Sequence, residues 1–143
     1  MDLIFWRHAD AEEGAPDLAR KLSPKGREQA ARVAAWMRHH LPEGFEVLAS
    51  PALRAQQTAE ALKLPVKTEK KLAPGATVQA ILKAADWPDH EKAVVVVGHQ
   101  PDLGQAIAHL VCGEERDWRL KKGALCWIAE DGSIKAVLSP DLL

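Results

Sequence analysis

The chain has 143 residues, 47% hydrophobic and 27% charged, with 19 Lys plus Arg against 20 Asp plus Glu and a formal charge of −1. A chain of this length buries roughly 70% of its unfolded surface without disulfides or metal staples, so one domain over residues 1–143 is expected. The balanced charge excludes an extended surface for nucleic acid or an anionic membrane, and no apolar run approaches a membrane span. Any anion bound here must be small and held by a few focused cations. The first residues do not form a charged stretch, an apolar stretch and a small-residue cleavage site, so a cytoplasmic protein is expected. Cys112 and Cys126 have neither disulfide nor zinc spacing and are expected to be free, buried thiols.

In chain order, Asp2-Leu3-Ile4-Phe5-Trp6-Arg7-His8 comes first. Its run of β-formers predicts a strand buried on both faces. Arg7 and His8 follow without a spacer, at the carboxyl end where open α/β sheets place their ligands. Residues 9–17 are polar, broken by Gly14 and Pro16, and predict a loop that carries carboxylates close to that end. Ser23-Pro24 gives a helix start, and Ala30, Val33, Ala34, Met37 and Leu41 predict an amphipathic helix over 24–40. Gly26 inside it suggests a close approach to the sheet.

Phe45 to Ala49 predicts a second strand, and Ser50-Pro51 a second helix cap. Ala52, Ala55, Ala59 and Leu62 mark the buried stripe of the helix that follows, with Arg54 in its first turn on another face. A short strand at 66–68, a turn at Pro74-Gly75 and a helix through Val78, Ile81 and Leu82 come next. Ala93 to Val97 predicts another fully buried strand, and it runs through Gly98 straight into His99. Pro101 restarts a helix whose inner face is Leu103, Ile107, Leu110 and Val111, with Gly113 as its stop. Residues 125–129 and 134–138 flank an Asp131-Gly132 corner and predict a β-hairpin. The order predicts a three-layer α/β/α fold with a mainly parallel central sheet and a C-terminal β-hairpin.

Arg7, His8, Arg54 and His99 all fall at strand ends or in first helical turns. If the first strand and the valine-rich strand are parallel neighbours, the two histidines face each other across one crevice. Arginine's planar fork matches phosphate bidentately and cannot be titrated away. Helix N-termini after Ser50 and His99 would add positive ends. Such a pocket suits a phosphoryl dianion, with one histidine attacking phosphorus and the other stabilising its oxygens. His39, His40, His90 and His109 show no metal spacing and read as structural or exposed. A zinc site on His8 and His99 is disfavoured by the flanking arginines, and no metal or other cofactor is expected.

At these residues the chain resembles the histidine phosphatase superfamily, phosphoglycerate mutase-like in fold, and most closely its SixA-like branch. The opening Leu3-Ile4-Phe5-Trp6-Arg7-His8-Ala9 is similar to the family's strand and Arg-His-Gly signature, with Ala9 in place of the glycine. Leu22-Ser23-Pro24-Lys25-Gly26 is similar to its Leu-Thr/Ser-x-x-Gly helix start. Residues 50–59 follow its Ser-Pro-x-x-Arg-Ala-x-Gln-Thr motif, and Val97-Gly98-His99-Gln100-Pro101 its second-histidine motif.

The resemblance implies that His8 is the nucleophile and is transiently phosphorylated. It implies a phosphate pocket of Arg7, Arg54 and His99, with Arg20 as a further substrate-binding residue. The branch often places an acid just before its Leu-x-Pro-Gly stretch, but Lys71 stands there, with Glu69 two positions back. Asp17, three residues before Arg20, matches another acidic position of the branch and is favoured as proton donor over Glu12 and Glu69. The leading expectation is a phosphatase acting on phosphohistidine of a protein partner, as a monomer. A broad small-molecule phosphomonoesterase and a non-catalytic phosphate- or phosphoprotein-binding module are the alternatives.

Overall fold

The computed structural model describes residues 1–143. Strand β1 (Leu3–Arg7) leads to helix α1 (Pro24–His40) and strand β2 (Glu46–Ala49). Helix α2 (Leu53–Glu60), the two-residue β3 (Lys67–Thr68), helix α3 (Val78–Ala84) and strand β4 (Val94–Gly98) follow. Helix α4 (Asp102–Cys112) and the hairpin β5 (Leu125–Ile128) and β6 (Ile134–Leu138) complete the chain. All six strands form one sheet in the order β3-β2-β4-β1-β5-β6. The first four are parallel, and β5 and β6 are antiparallel additions at one edge.

Period-two alternation divides β1 between two cores. Ile4 and Trp6 pack with Val95 and Val97 against Ala30, Val33, Ala34 and Met37 of α1 and Ala55 and Ala59 of α2. Leu3 and Phe5 pack with Val94 and Val96 against Val78 and Ile81 of α3 and Leu103 and Ile107 of α4. Two helices therefore cover each face, which makes three layers. Leu3 to Trp6 are completely buried, as an unbroken apolar run in a central strand requires.

Three local readings are corrected. Val111 is exposed rather than on the inner face of α4, whose buried stripe ends at Ala108. Cys112 is also exposed at the end of that helix, while Cys126 on β5 is buried and its thiol is pushed up to about 12 by burial. Ser50 does not cap α2; Ala52 holds the cap position and makes no side-chain cap bond.

The Ser23 signal does match the structure. Its hydroxyl accepts from the Gly26 amide at 3.0 Å and donates to Asp10 Oδ2 at 2.6 Å. The first turn of α1 is thereby pressed onto the loop that leaves β1. The close approach at Gly26 is to this loop rather than to the sheet, since an added Cβ would lie 1.9 Å from the Asp10 carbonyl oxygen. Gly26→Ala is expected to cost about 1–3 kcal/mol through forced displacement of that backbone, read as a lower urea midpoint at unchanged m-value.

Candidate active site

β1 pairs with β4 in parallel, Arg7 opposite Gly98, so the residues after the two strands emerge side by side. The His8 and His99 rings stand 5.2 Å apart between centroids, and both side chains are buried. Arg54 enters from the first turn of α2 and is only 5% exposed. The structure thus brings together Arg7, His8, Arg54 and His99, which are scattered over most of the chain. The α4 N-terminus begins three residues after His99 at the same end of the sheet.

The hydrogen bonds assign each ring a tautomer. His8 Nδ1 lies 2.8 Å from the Ala9 carbonyl, which can only accept, so Nδ1 carries the proton and Nε2 carries the lone pair. Ala9 is held in turn by the Thr58 hydroxyl, which accepts from the Ala9 amide at 3.0 Å and donates to the Arg54 carbonyl at 2.7 Å. Gln57 accepts from the Leu22 amide at 2.8 Å. The Gln57-Thr58 pair therefore fixes the backbone on either side of the loop that carries the first histidine's neighbours.

His99 Nε2 lies 2.8 Å from Ser50 Oγ, and its Nδ1 lies 3.5 Å from Arg54 Nη2. A guanidinium edge only donates, so it disfavours a proton on Nδ1 and leaves Nε2–H to donate to the serine. Ser50, read from the sequence as a helix cap, is a ring-orienting residue. The signal that could have found it was its place four residues before Arg54 in the quoted motif.

Two guanidiniums supply more donors than the protein uses. Arg7 Nη1 donates to the Leu120 carbonyl at 2.9 Å, while its Nε is buried without a partner. Arg54 Nε is likewise buried and unpartnered. Native interiors rarely leave such donors unmet, and an oxyanion between the arginines would satisfy them. No group of three or more His, Cys, Asp or Glu side chains converges anywhere in the chain.

Asp17, Arg20 and Arg54 form a charge chain across the mouth of the pocket. Arg54 Nη1 donates to the Asp17 carbonyl at 2.8 Å and Nη2 to its carboxylate at 3.1 Å, and Arg20 Nη1 donates to the other oxygen at 3.2 Å. Hydrogen bonds from Arg20 and then Arg54 hold the Asp17 carboxyl below its usual range. Arg20 Nε also donates to the Glu12 carbonyl at 2.8 Å. The Glu12 side chain itself is exposed, and Glu69 turns back on its own chain to accept from the Lys71 amide at 3.2 Å. Of the three candidate acids, only Asp17 touches the pocket's arginines.

Burial, with help from the charges of Arg54, Arg7 and Arg20, pushes His8 down to about 4 against the opposing Ala9 hydrogen bond. Burial, then His8 and Arg54, pushes His99 down to about 3, although Asp17 opposes this. Both rings are therefore neutral near pH 7. Because an unfolded histidine protonates near 6.5, fold stability is expected to fall as pH drops from about 6.5 towards 4. Thermal melts across that window check it.

Residues 3–75 match the model of the histidine phosphatase superfamily, branch 1. The phosphohistidine phosphatase SixA of Escherichia coli is 32% identical over 123 residues, covering 80% of this chain and 76% of its own. A protein of Picosynechococcus sp. without an assigned function is 37% identical over 127 residues, covering 80% of this chain and 75% of its own. The solved structure of the protein histidine phosphatase SixA complexed with tungstate superposes with a TM-score of 0.86, at 28% identity and 99% coverage of both chains. With Arg7, His8, Arg54 and His99 gathered at the ends of β1, α2 and β4, the chain belongs to the histidine phosphatase superfamily, in its SixA-like branch.

Proposed function

We propose that the chain is a metal-independent phosphatase that hydrolyses phosphohistidine on a protein partner through a covalent phospho-His8 intermediate. The observation that carries this reading is a neutral His8 with its Nε2 lone pair free, set beside two arginines with unmet buried donors. Arg7, Arg54 and His99 hold the phosphoryl oxygens, and Arg20 extends the same cationic edge. His8 Nε2 attacks phosphorus as the bond to the leaving nitrogen breaks, and that nitrogen takes a proton from Asp17. Water then attacks the phosphorus of phospho-His8, gives its proton to Asp17, and orthophosphate leaves with His8 restored.

Asp17 can act as an acid only once its carboxylate is less tightly held. An incoming phosphoryl group competes with it for the Arg54 edge, which weakens that hold and raises its proton affinity. A weak acid of this kind suits a phosphoramidate better than an alkyl ester, because the leaving nitrogen protonates readily. This chemistry favours phosphohistidine over a phosphomonoester. We also propose that the chain acts as a monomer. No helix is long and apolar enough to cross a membrane, and we place this single domain in the cytoplasm.

The deciding experiment is phosphate release in EDTA from a phosphohistidine-bearing domain and from para-nitrophenyl phosphate in parallel. Fast turnover of the first with little of the second supports the proposal. Comparable rates on both would establish a general phosphomonoesterase, and no turnover of either would establish a binding module. The pH profile is a second check. After correction for the substrate's own second ionisation, near 6, kcat/KM is expected to fall on the acid side through about 4 rather than 6.5.

A further inference from the structure

A second cationic feature adjoins the catalytic pocket. A cavity of about 520 Å³ is lined by Arg7, Lys25, Arg119, Lys121 and Lys122, together with Asp10 and Asp141. Both carboxylates are already engaged: Asp10 accepts from Ser23 and pairs with Lys122 at 3.0 Å, and Asp141 accepts from the Ser139 hydroxyl. Lys25, Arg119 and Lys121 have no carboxylate partner. Five cations against two carboxylates leave a formal surplus of +3 on one concave surface, in a chain whose total charge is −1.

Arg7 is common to the cavity and the catalytic pocket. Its Nη1 is held by the carbonyl of Leu120, the buried residue between Arg119 and Lys121. The segment that carries Arg119 and Lys121 is docked onto α4. Gln100 donates to the Trp118 carbonyl at 2.8 Å and accepts from the Gly104 amide at 2.7 Å, and a Cβ at Gly104 would lie 2.0 Å from that same carbonyl oxygen. The cationic wall is therefore fixed relative to His99, which lies one residue before Gln100.

We propose that, besides the phosphohistidine protein assigned above, the pocket accepts a small ligand carrying two phosphoryl groups, one at His8 and the second bound in this cavity. The volume is that of a small-molecule site. Pro140 is the one apolar residue in its lining, and the cavity lacks the aromatic or large aliphatic anchor on which protein docking depends. A phosphate carries about −1.5 to −2 charges near pH 7, which matches the surplus better than one carboxylate. Lys25, Arg119 and Lys121 then select, from phosphorylated ligands that fit at Arg7 and Arg54, those with a second phosphate nearby.

The test is calorimetric binding of orthophosphate and of methylenediphosphonate, whose P–C–P bridge resists hydrolysis, to the full chain at fixed ionic strength. The diphosphonate is expected to bind about tenfold more tightly, as two or three partly exposed ion pairs would give. In Arg119→Glu/Lys121→Glu that advantage is expected to vanish while orthophosphate binding changes less than threefold. Arg119→Lys/Lys121→Arg, which keeps both charges, is expected to retain it. Equal affinity for the two probes in the wild type, or an advantage that survives charge reversal, overturns the proposal. A tetraglutamate peptide that competes as well as the diphosphonate would also overturn it, reassigning the surface to protein carboxylates. None of these readings requires turnover, so failure here and failure of the phosphohistidine reading are separable.

Discussion

His8→Ala is expected to lower turnover of any phosphorylated substrate by about 10⁴-fold or more while phosphate still binds, because removing the nucleophile of a covalent mechanism costs factors of this size. The variant should fold. The ring's single protein hydrogen bond is to the adjacent Ala9 carbonyl, and losing it costs about 1–3 kcal/mol. The arginines proposed to hold the anion, and the Ser50 contact that orients His99, are untouched. Single-turnover kinetics, with phosphate affinity and a thermal melt as controls, check the prediction. Acid-labile phosphate trapped on the wild type and absent from the variant would identify the intermediate directly. Wild-type rates in His8→Ala would sink the covalent mechanism.

Arg54→Ala is expected to reduce kcat/KM by about 10³- to 10⁵-fold, the range in which an arginine stabilises charge in phosphoryl transfer. The loss has two sources. The first is the guanidinium itself, whose Nε is buried without a protein acceptor. The second is Asp17, since Arg54 holds both its carbonyl and its carboxylate and so fixes the loop across the pocket. Arg54→Lys keeps a charge but not the fork, and is expected to recover only a small part of the loss. Arg54→Ala also frees one carboxylate oxygen of Asp17, so its carboxyl should titrate closer to the ordinary range, which carbon-13 NMR of that group can follow. Unchanged kcat/KM in Arg54→Ala would place the phosphoryl group elsewhere.

Much of this arrangement is legible in the sequence, for a physical reason. Strands buried on both faces are unbroken apolar runs, so β1 and β4 stand out, and the residues that follow them are marked as strand-end residues. Helix starts read well at Ser23, where hydroxyl, proline and a following apolar period agree. The same dipeptide misleads at Ser50, because its hydroxyl meets His99, a residue 49 positions away, and no local pattern reports such a partner. Val111 and Cys112 fail similarly: the apolar face of α4 is set by where the sheet ends, not by hydrophobicity alone. The pairing of Asp17 with both Arg20 and Arg54 could be anticipated for the first, three residues on, but not for the second. The basic wall at Arg119 and Lys121 was invisible as well, since single cations acquire a common direction only when the chain folds.

The position of β1 at the centre of the sheet has a consequence for how the protein is made. Leu3 is bonded beside Val94 on one side and Ile128 on the other. β1, synthesised before both of its neighbours, therefore waits for β4 before one edge is covered and for β5 before the other is. Until then Leu3-Ile4-Phe5-Trp6 is an open, aggregation-prone template. Pairings between such distant segments also form slowly. His8 is the residue after that strand, so the two histidines come together only once β4 has closed on β1. Regain of activity during refolding should accordingly track the last cooperative step of structure formation, with no active fragment preceding it.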